Sequence, residues 1–239
     1  MSASPHQLGS WFAVARHSRR REALGATSLL LVLLPFGLLL LLVESRWSPL
    51  AELDAAARDS LHGFAIGHSW FVRTMLTLSD LGSGGVWTSA AILTVAVLLW
   101  RRRGRTALFV AVTAIGSPLL NRAVKQLVHR ARPVLAAPVD RVGGFSFPSG
   151  HAQSAMVGYA LLLILVVPTL GPVWRRVAVL LAVLMVMGIG FSRVALGVHY
   201  VSDVLAGYVL GAAWVAAVAA VLAVRRGSDR LPRAAERLR

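Results

Sequence analysis

The sequence predicts an all-α, polytopic membrane protein of six transmembrane helices with both termini cytoplasmic, and three observations carry that prediction. Of 239 residues, 56% are apolar and only 15% are charged, against about 25% charged in an ordinary soluble domain. Mean hydropathy is +0.68. The apolar residues gather in six runs, 24–43, 86–100, 106–120, 151–168, 177–191 and 203–224, and the connections between them hold nearly all the charge.

The first run follows Arg16, Arg19, Arg20 and Arg21 and so resembles a secretory signal. It is long, leucine-dense and lacks a small-residue cleavage site after Val43, which makes it a retained anchor behind a basic N-terminus, residues 1–23. Several later runs fall short of the roughly 20 residues that cross a bilayer, so their ends must extend into polar sequence. Residues 44–85 form the longest polar connection, an outer loop. Within it Leu50, Leu53, Ala57, Leu61, Phe64 and Ala65 recur at helical spacing, and an interfacial helix fits. Its His62 and His68 show no metal-ligand pattern and receive no function. A single membrane domain, 24–224, precedes a short basic tail, 225–239, and there is no internal repeat.

Orientation follows from the basic residues, because positively charged loops stay cytoplasmic. Alternate connections hold 16 and 9 of the 25 Lys and Arg residues. The richer set comprises the N-terminus, Arg101 to Arg105, Arg175 with Arg176, and the tail. Both termini are therefore predicted inside. The net charge of +15 is this topogenic bias together with attraction to anionic lipid, and it gives no reason to invoke nucleic acid. The absence of cysteine excludes disulfide scaffolds, thiolate metal sites and cysteine nucleophiles.

Three clusters hold the chemistry, all on the predicted non-cytoplasmic side. The first runs from Lys125 to Arg132 and Pro133, at the end of the third span. If this stretch is helical, its two cations share a face two turns apart, with Pro133 disfavouring helix from Arg132 onward. Lys125 is the single lysine among 24 arginines, which suggests a place for a flexible point charge where a planar fork would not fit. The second cluster is Pro148-Ser149-Gly150-His151, opening the fourth span. Glycine beside a helix start lets backbone N–H groups approach an anion, and the helix dipole adds to the attraction. The third begins at Ser192-Arg193 and ends in His199 and Asp203. One helical turn brings that carboxylate to that imidazole and can fix the tautomer that frees the other ring nitrogen. Each cluster alone has an ordinary reading as a headgroup anchor, a turn or a structural hydrogen bond. Together they supply two histidines, an orienting carboxylate, three cations and a hydroxyl on one membrane face.

This arrangement resembles the type 2 phosphatidic acid phosphatase (PAP2) family, integral membrane lipid phosphatases related to vanadium haloperoxidases. The family pattern is Lys-x6-Arg-Pro, then Pro-Ser-Gly-His, then Ser-Arg-x5-His-x3-Asp, and all of its specified positions occur here in order between Lys125 and Asp203. The resemblance implies a helical phosphatase core in which His199 attacks phosphorus to form a phosphohistidine and Asp203 orients it. It implies that His151 protonates the leaving oxygen and then activates water, while Lys125, Arg132, Ser149, the Gly150 amide and Arg193 hold the phosphoryl oxygens. Ser192 would support the site. No carboxylate cluster suggests a divalent metal, so neither metal nor other cofactor is expected. Three cations at a bilayer centre would be costly, which places the site at the outer interface of a multi-pass cell-membrane protein and selects a lipid-borne phosphate.

The substrate classes left open are a polyprenyl diphosphate, phosphatidylglycerophosphate and phosphatidic acid. A lipid phosphotransferase of the same family, a soluble-substrate phosphatase and a lipid-phosphate transporter or binding protein are the alternatives. A transporter expects ionisable residues within its spans, and these spans are nearly bare of charge. Oligomeric state is not legible.

Overall fold

The structure, a computed structural model, describes residues 34–135 and 142–228. These residues form helices joined by short connections, with no strand among them. Helix α1, Leu34–Glu44 in its described part, ends where Arg46 turns left-handed at φ 51°. Pro49 then starts α2, Ser48–Gly67, where its missing N–H costs nothing. Next come α3, Ser69–Leu81, and α4, Gly84–Trp100, capped by the Ser83 hydroxyl, which accepts from the Val86 amide at 3.3 Å. Helix α5 is Gly104–Val128 and α6 is Gly150–Val166. Helix α7 is Pro172–Ala195, again opened by proline, and α8 is Val201–Ser228.

Among the described residues, five helical segments are long and apolar enough to cross a membrane: Ser69–Trp100, Gly104–Val128, Gly150–Thr169, Pro172–Ala195 and Val201–Leu222. Their outward faces carry Ile92, Leu93, Ile115, Leu119, Leu180 and Leu184, all more than half exposed. A soluble protein does not present so much large aliphatic surface, and lipid is the solvent that accepts it. Of the first predicted run, 24–43, only the part from residue 34 is described. The basic N-terminus, Asp140, Arg141 and most of the tail also lie outside the described residues.

Two sequence expectations change. The second span is not confined to 86–100, because α3 and α4 read through as one apolar stretch from Ser69, broken at Gly82 and Ser83. What looked like a polar loop over 44–85 is largely two helices, α2 and α3, packed across α7, with α2 also reaching α8. The second correction concerns Lys125 and Arg132, which do not share a helical face. Helix α5 stops at Val128 because His129 turns left-handed at φ 50°, so Arg132 lies on the irregular chain beyond it.

Helix α6 is central and packs against α4, α5, α7 and α8. On one side Ala152 and Ala155 meet Val186, Ile189, Val204 and Tyr208 of α7 and α8. On the other, Val157 and Leu161 meet Leu98, Ala107, Val110 and Val215. Lipid supplies little hydrophobic drive for helix association, so close approach through small residues has to supply it. A Cβ on Gly207 of α8 would lie 2.6 Å from the Ser149 carbonyl, and one on Gly211 would lie 3.1 Å from that of Gln153. A polar lock adds to this contact's neighbour: Asn121 of α5 donates to Gln153 Oε1 at 2.7 Å, and Gln153 donates to the Ser117 hydroxyl and carbonyl at 2.9 Å.

Gly207→Ala should therefore push α8 away from the start of α6. An overpacking cost of about 1–3 kcal/mol is expected, seen as a lower melting temperature in detergent. An unchanged melting temperature would show that this approach is not tight.

Candidate active site

Helices α5 and α7 end, and α6 and α8 begin, at one end of the bundle, so the three motif clusters meet there. The turn from α7 to α8 is closed by backbone bonds to the α7 terminus: Leu196 N to Ser192 O, Gly197 N to Val194 O, and both Val198 N and His199 N to Arg193 O. Gly197 sits at φ 72°, where a side chain is strained, and a Cβ there would strike Leu135. That reversal delivers His199 into the interior, 2% exposed, beside the fully buried Asp203.

His199 Nδ1 lies 3.3 Å from Asp203 Oδ2, and Nε2 lies 3.1 Å from Arg132 Nη1. A neutral ring satisfies both contacts: Nδ1–H donates to the carboxylate, and the Nε2 lone pair accepts from the guanidinium. Burial dominates the titration of this imidazole. Asp203 favours its charged form and Arg132 and Lys125 oppose it, so its pKa is pushed down to about 4. Arg132 is itself held by donation to the Val198 carbonyl at 2.8 Å and to the Gly144 carbonyl at 3.0 Å. The irregular chain after α5 thus brings this fork to His199 Nε2.

Lys125, in the last turn of α5, donates to the carbonyls of Phe145 and, at 3.2 Å, Ser146. An ammonium suits that role because its three protons point in independent directions. Ser149 caps α6 with its hydroxyl accepting from the Ala152 amide at 3.5 Å, while its own amide donates to the Asp203 carbonyl at 2.9 Å. A Cβ on Gly150 would meet only Asn121 Oδ1, at 3.5 Å. Packing does not demand glycine there. His151, half-buried in that first turn, is close enough to Arg193, His199, Arg132 and Lys125 to feel the charge of each. Arg193, 2% exposed in the last turn of α7, donates to the Ser79 hydroxyl of α3. The Ser192 hydroxyl donates to the Ile189 carbonyl at 2.6 Å, a contact internal to α7.

All eight residues singled out from the sequence therefore converge on one spot. Several others at the site carried no motif signal. Ser146 donates to Asp203 Oδ2, as does the Tyr200 amide at 2.9 Å. Arg130 donates to Asp203 Oδ1 at 2.6 Å and to Asp54 Oδ2 at 2.9 Å. Burial works against its charge, but Asp203 and Asp54 outweigh that and its pKa is raised. Asp54 did leave one trace: it sits between Leu50 and Ala57 on the apolar stripe of α2. Among the described residues no group of three or more His, Cys, Asp or Glu is arranged to hold a metal ion.

A model of the PAP2 superfamily matches residues 106–226. Phosphatidylglycerophosphatase B of Bacillus subtilis is 32% identical over 149 residues, covering 61% of this chain and 72% of that protein. The decaprenylphosphoryl-5-phosphoribose phosphatase of Mycobacterium tuberculosis is 37% identical over 163 residues, covering 66% and 85%. A crystal structure of the PAP2-type phosphatidylglycerolphosphate phosphatase from Bacillus subtilis superposes with a TM-score of 0.71 at 27% identity. That superposition spans 80% of this chain and 94% of the other.

The electrostatics can be tested directly. In histidine-labelled protein the nitrogen NMR signals of His199 should stay those of a neutral ring down to about pH 4. Arg132→Gln, which removes one of the cations opposing protonation, should move that transition upward. A His199 that titrates near the ordinary imidazole value of about 6.5 would contradict this account.

Proposed function

The chain belongs to the PAP2 superfamily, and from that premise we propose that it removes phosphate from a membrane lipid monophosphate or diphosphate, through a phosphohistidine on His199, at the non-cytoplasmic face of the cell membrane. The observation that carries the reading is the orientation of the His199 ring. Nδ1 is turned to Asp203 and the Nε2 lone pair is turned toward Arg132, among Lys125, Arg193 and the open start of α6. A phosphoryl group drawn to those donors meets a neutral nucleophile.

Nε2 attacks phosphorus as the bond to the leaving oxygen breaks, and the ring becomes a cation that Asp203 stabilises. His151, protonated once bound phosphate offsets the surrounding cations, gives its proton to that oxygen. It then takes a proton from water as the oxygen attacks phosphorus and the N–P bond breaks, releasing inorganic phosphate and restoring neutral His199. Arg132, Lys125, Arg193, Ser149 and the Gly150 amide hold the phosphoryl oxygens, where transition-state charge is spread. Asp203 is committed to His199, Arg130, Ser146 and Tyr200. The scheme needs no metal.

The bias of basic residues toward the other loops supports a site facing outward, and so does a cationic pocket at the bundle end, where lipid headgroups lie. The relatives support a lipid-borne phosphate: one is named for phosphatidylglycerophosphate and another for a decaprenyl phosphosugar. Phosphatidylglycerophosphate, a polyprenyl diphosphate and phosphatidic acid are the substrates to assay first.

Detergent-purified protein should release phosphate from at least one of these lipids in excess EDTA. His199→Ala should lose at least about 10^3-fold in kcat, and His151→Ala about 10^2–10^4-fold. Undiminished release by His199→Ala, or loss of activity in EDTA that Mg2+ restores, would refute the mechanism.

A further inference from the structure

Asp54 lies on α2, outside the residues that the family model matches, yet it is 1% exposed. A buried carboxylate is tolerated only when it is paired and hydrogen-bonded. Its Oδ1 accepts from the Ser202 amide at 2.9 Å, and its Oδ2 accepts from the Ser202 hydroxyl at 2.5 Å and from Arg130 Nη2 at 2.9 Å. The other terminal nitrogen of Arg130 donates to Asp203 Oδ1 at 2.6 Å and to the Ser202 hydroxyl at 2.7 Å. The guanidinium carbon stands 4.3 Å over the Tyr200 ring. One planar fork thus spans two buried carboxylates from different helices, with the intervening hydroxyl bonded to both fork and carboxylate.

We propose that Arg130 and Asp54 are positioning residues of the catalytic centre: through this fork α2 braces Asp203 so that its Oδ2 stays aimed at His199 Nδ1.

The geometry of Asp203 shows why a brace matters. Oδ2 is shared by Ser146, the Tyr200 amide and His199, and its distance to His199, 3.3 Å, is already long for a hydrogen bond. A modest rotation of the carboxylate would lengthen that contact further. Arg130 on Oδ1 opposes the rotation, and Asp54 fixes the direction of Arg130. A lysine at position 130 would keep the charge and lose the two-directional grip. The apolar face of α2 supports the same brace, since Ala57 and Leu61 pack on the cluster formed by α6, α7 and α8.

The inference rests on His199 being the nucleophile, so the test carries its own control. Wild type, His199→Ala, Arg130→Lys, Asp54→Asn and the double variant Arg130→Lys with Asp54→Asn are purified full length. Each is assayed in mixed micelles on phosphatidylglycerophosphate, a polyprenyl diphosphate and phosphatidic acid, with melting temperature measured in parallel. Arg130→Lys should lower kcat about 10–100-fold with KM changed less than about threefold, because misaimed chemistry, not binding, is lost. The near-isosteric Asp54→Asn, which keeps the shape of the site, should lower kcat in the same way by about 3–10-fold. The double variant should fall short of the product of the two, as expected of residues acting through one contact. Either single variant keeping wild-type kcat per folded molecule, or losing only melting temperature or KM, would overturn the proposal while leaving the phosphatase reading intact. Wild type no more active than His199→Ala on any of the three lipids would overturn both.

Discussion

The structure depends on one constraint: Asp203 is a carboxylate with no exposure to water. Such a group is stable only if the protein replaces the whole of its hydration. Donors therefore come to it from around the bundle end: Arg130 from beyond α5, Ser146 from the loop before α6, and the Tyr200 amide and His199 from the turn before α8. Satisfying the charge forces these segments together. The catalytic geometry is a by-product of that requirement, since a carboxylate so surrounded has one direction left for the imidazole beside it.

The same enclosure sets the protonation of His199. Burial disfavours an imidazolium, and Arg132 and Lys125 disfavour it further, against the pull of Asp203. In an open site an Asp–His pair would raise the histidine pKa. Here the ring stays neutral at physiological pH, and the cations that keep it so are the ones that, in the proposed mechanism, attract the phosphoryl group. In the proposed mechanism, nucleophile activation and anion binding are thus two effects of one charge distribution.

Helix packing makes this arrangement possible. Gly207 and Gly211 let α8 ride close to α6, which sets the Ser149 amide against the Asp203 carbonyl at 2.9 Å and so fixes the first turn of α6 relative to His199. Helices α2 and α3 lie across α7, with α2 also reaching α8, and Met75 packs on Ala195, Leu196 and Val198. That cover packs on the turn carrying His199. The lipid-facing aliphatic surface of α4, α5 and α7 takes no part in the site, and its only constraint is to be apolar.

The sequence alone determined the membrane class, five of the helical runs in outline and the candidate residues that the fold brings to one end of the bundle, because apolar periodicity and fixed motif spacing are local properties. His199 and Asp203 are one turn apart in any helical start, and Gly150 opens a helix wherever that helix lies. What only the tertiary structure decided was partnership across the chain. Arg130 and Arg132 look alike as sequence, and nothing local says that one grips two buried carboxylates while the other faces a ring nitrogen. A single left-handed residue, His129, separates them from the helix that spacing had extended through Arg132. Asp54 lies 148 residues before its partner Ser202, on a helix whose pattern showed a face and not what that face would meet. Such a bond exists only once the packing of other helices has excluded water, so its physical cause lies in the folded whole.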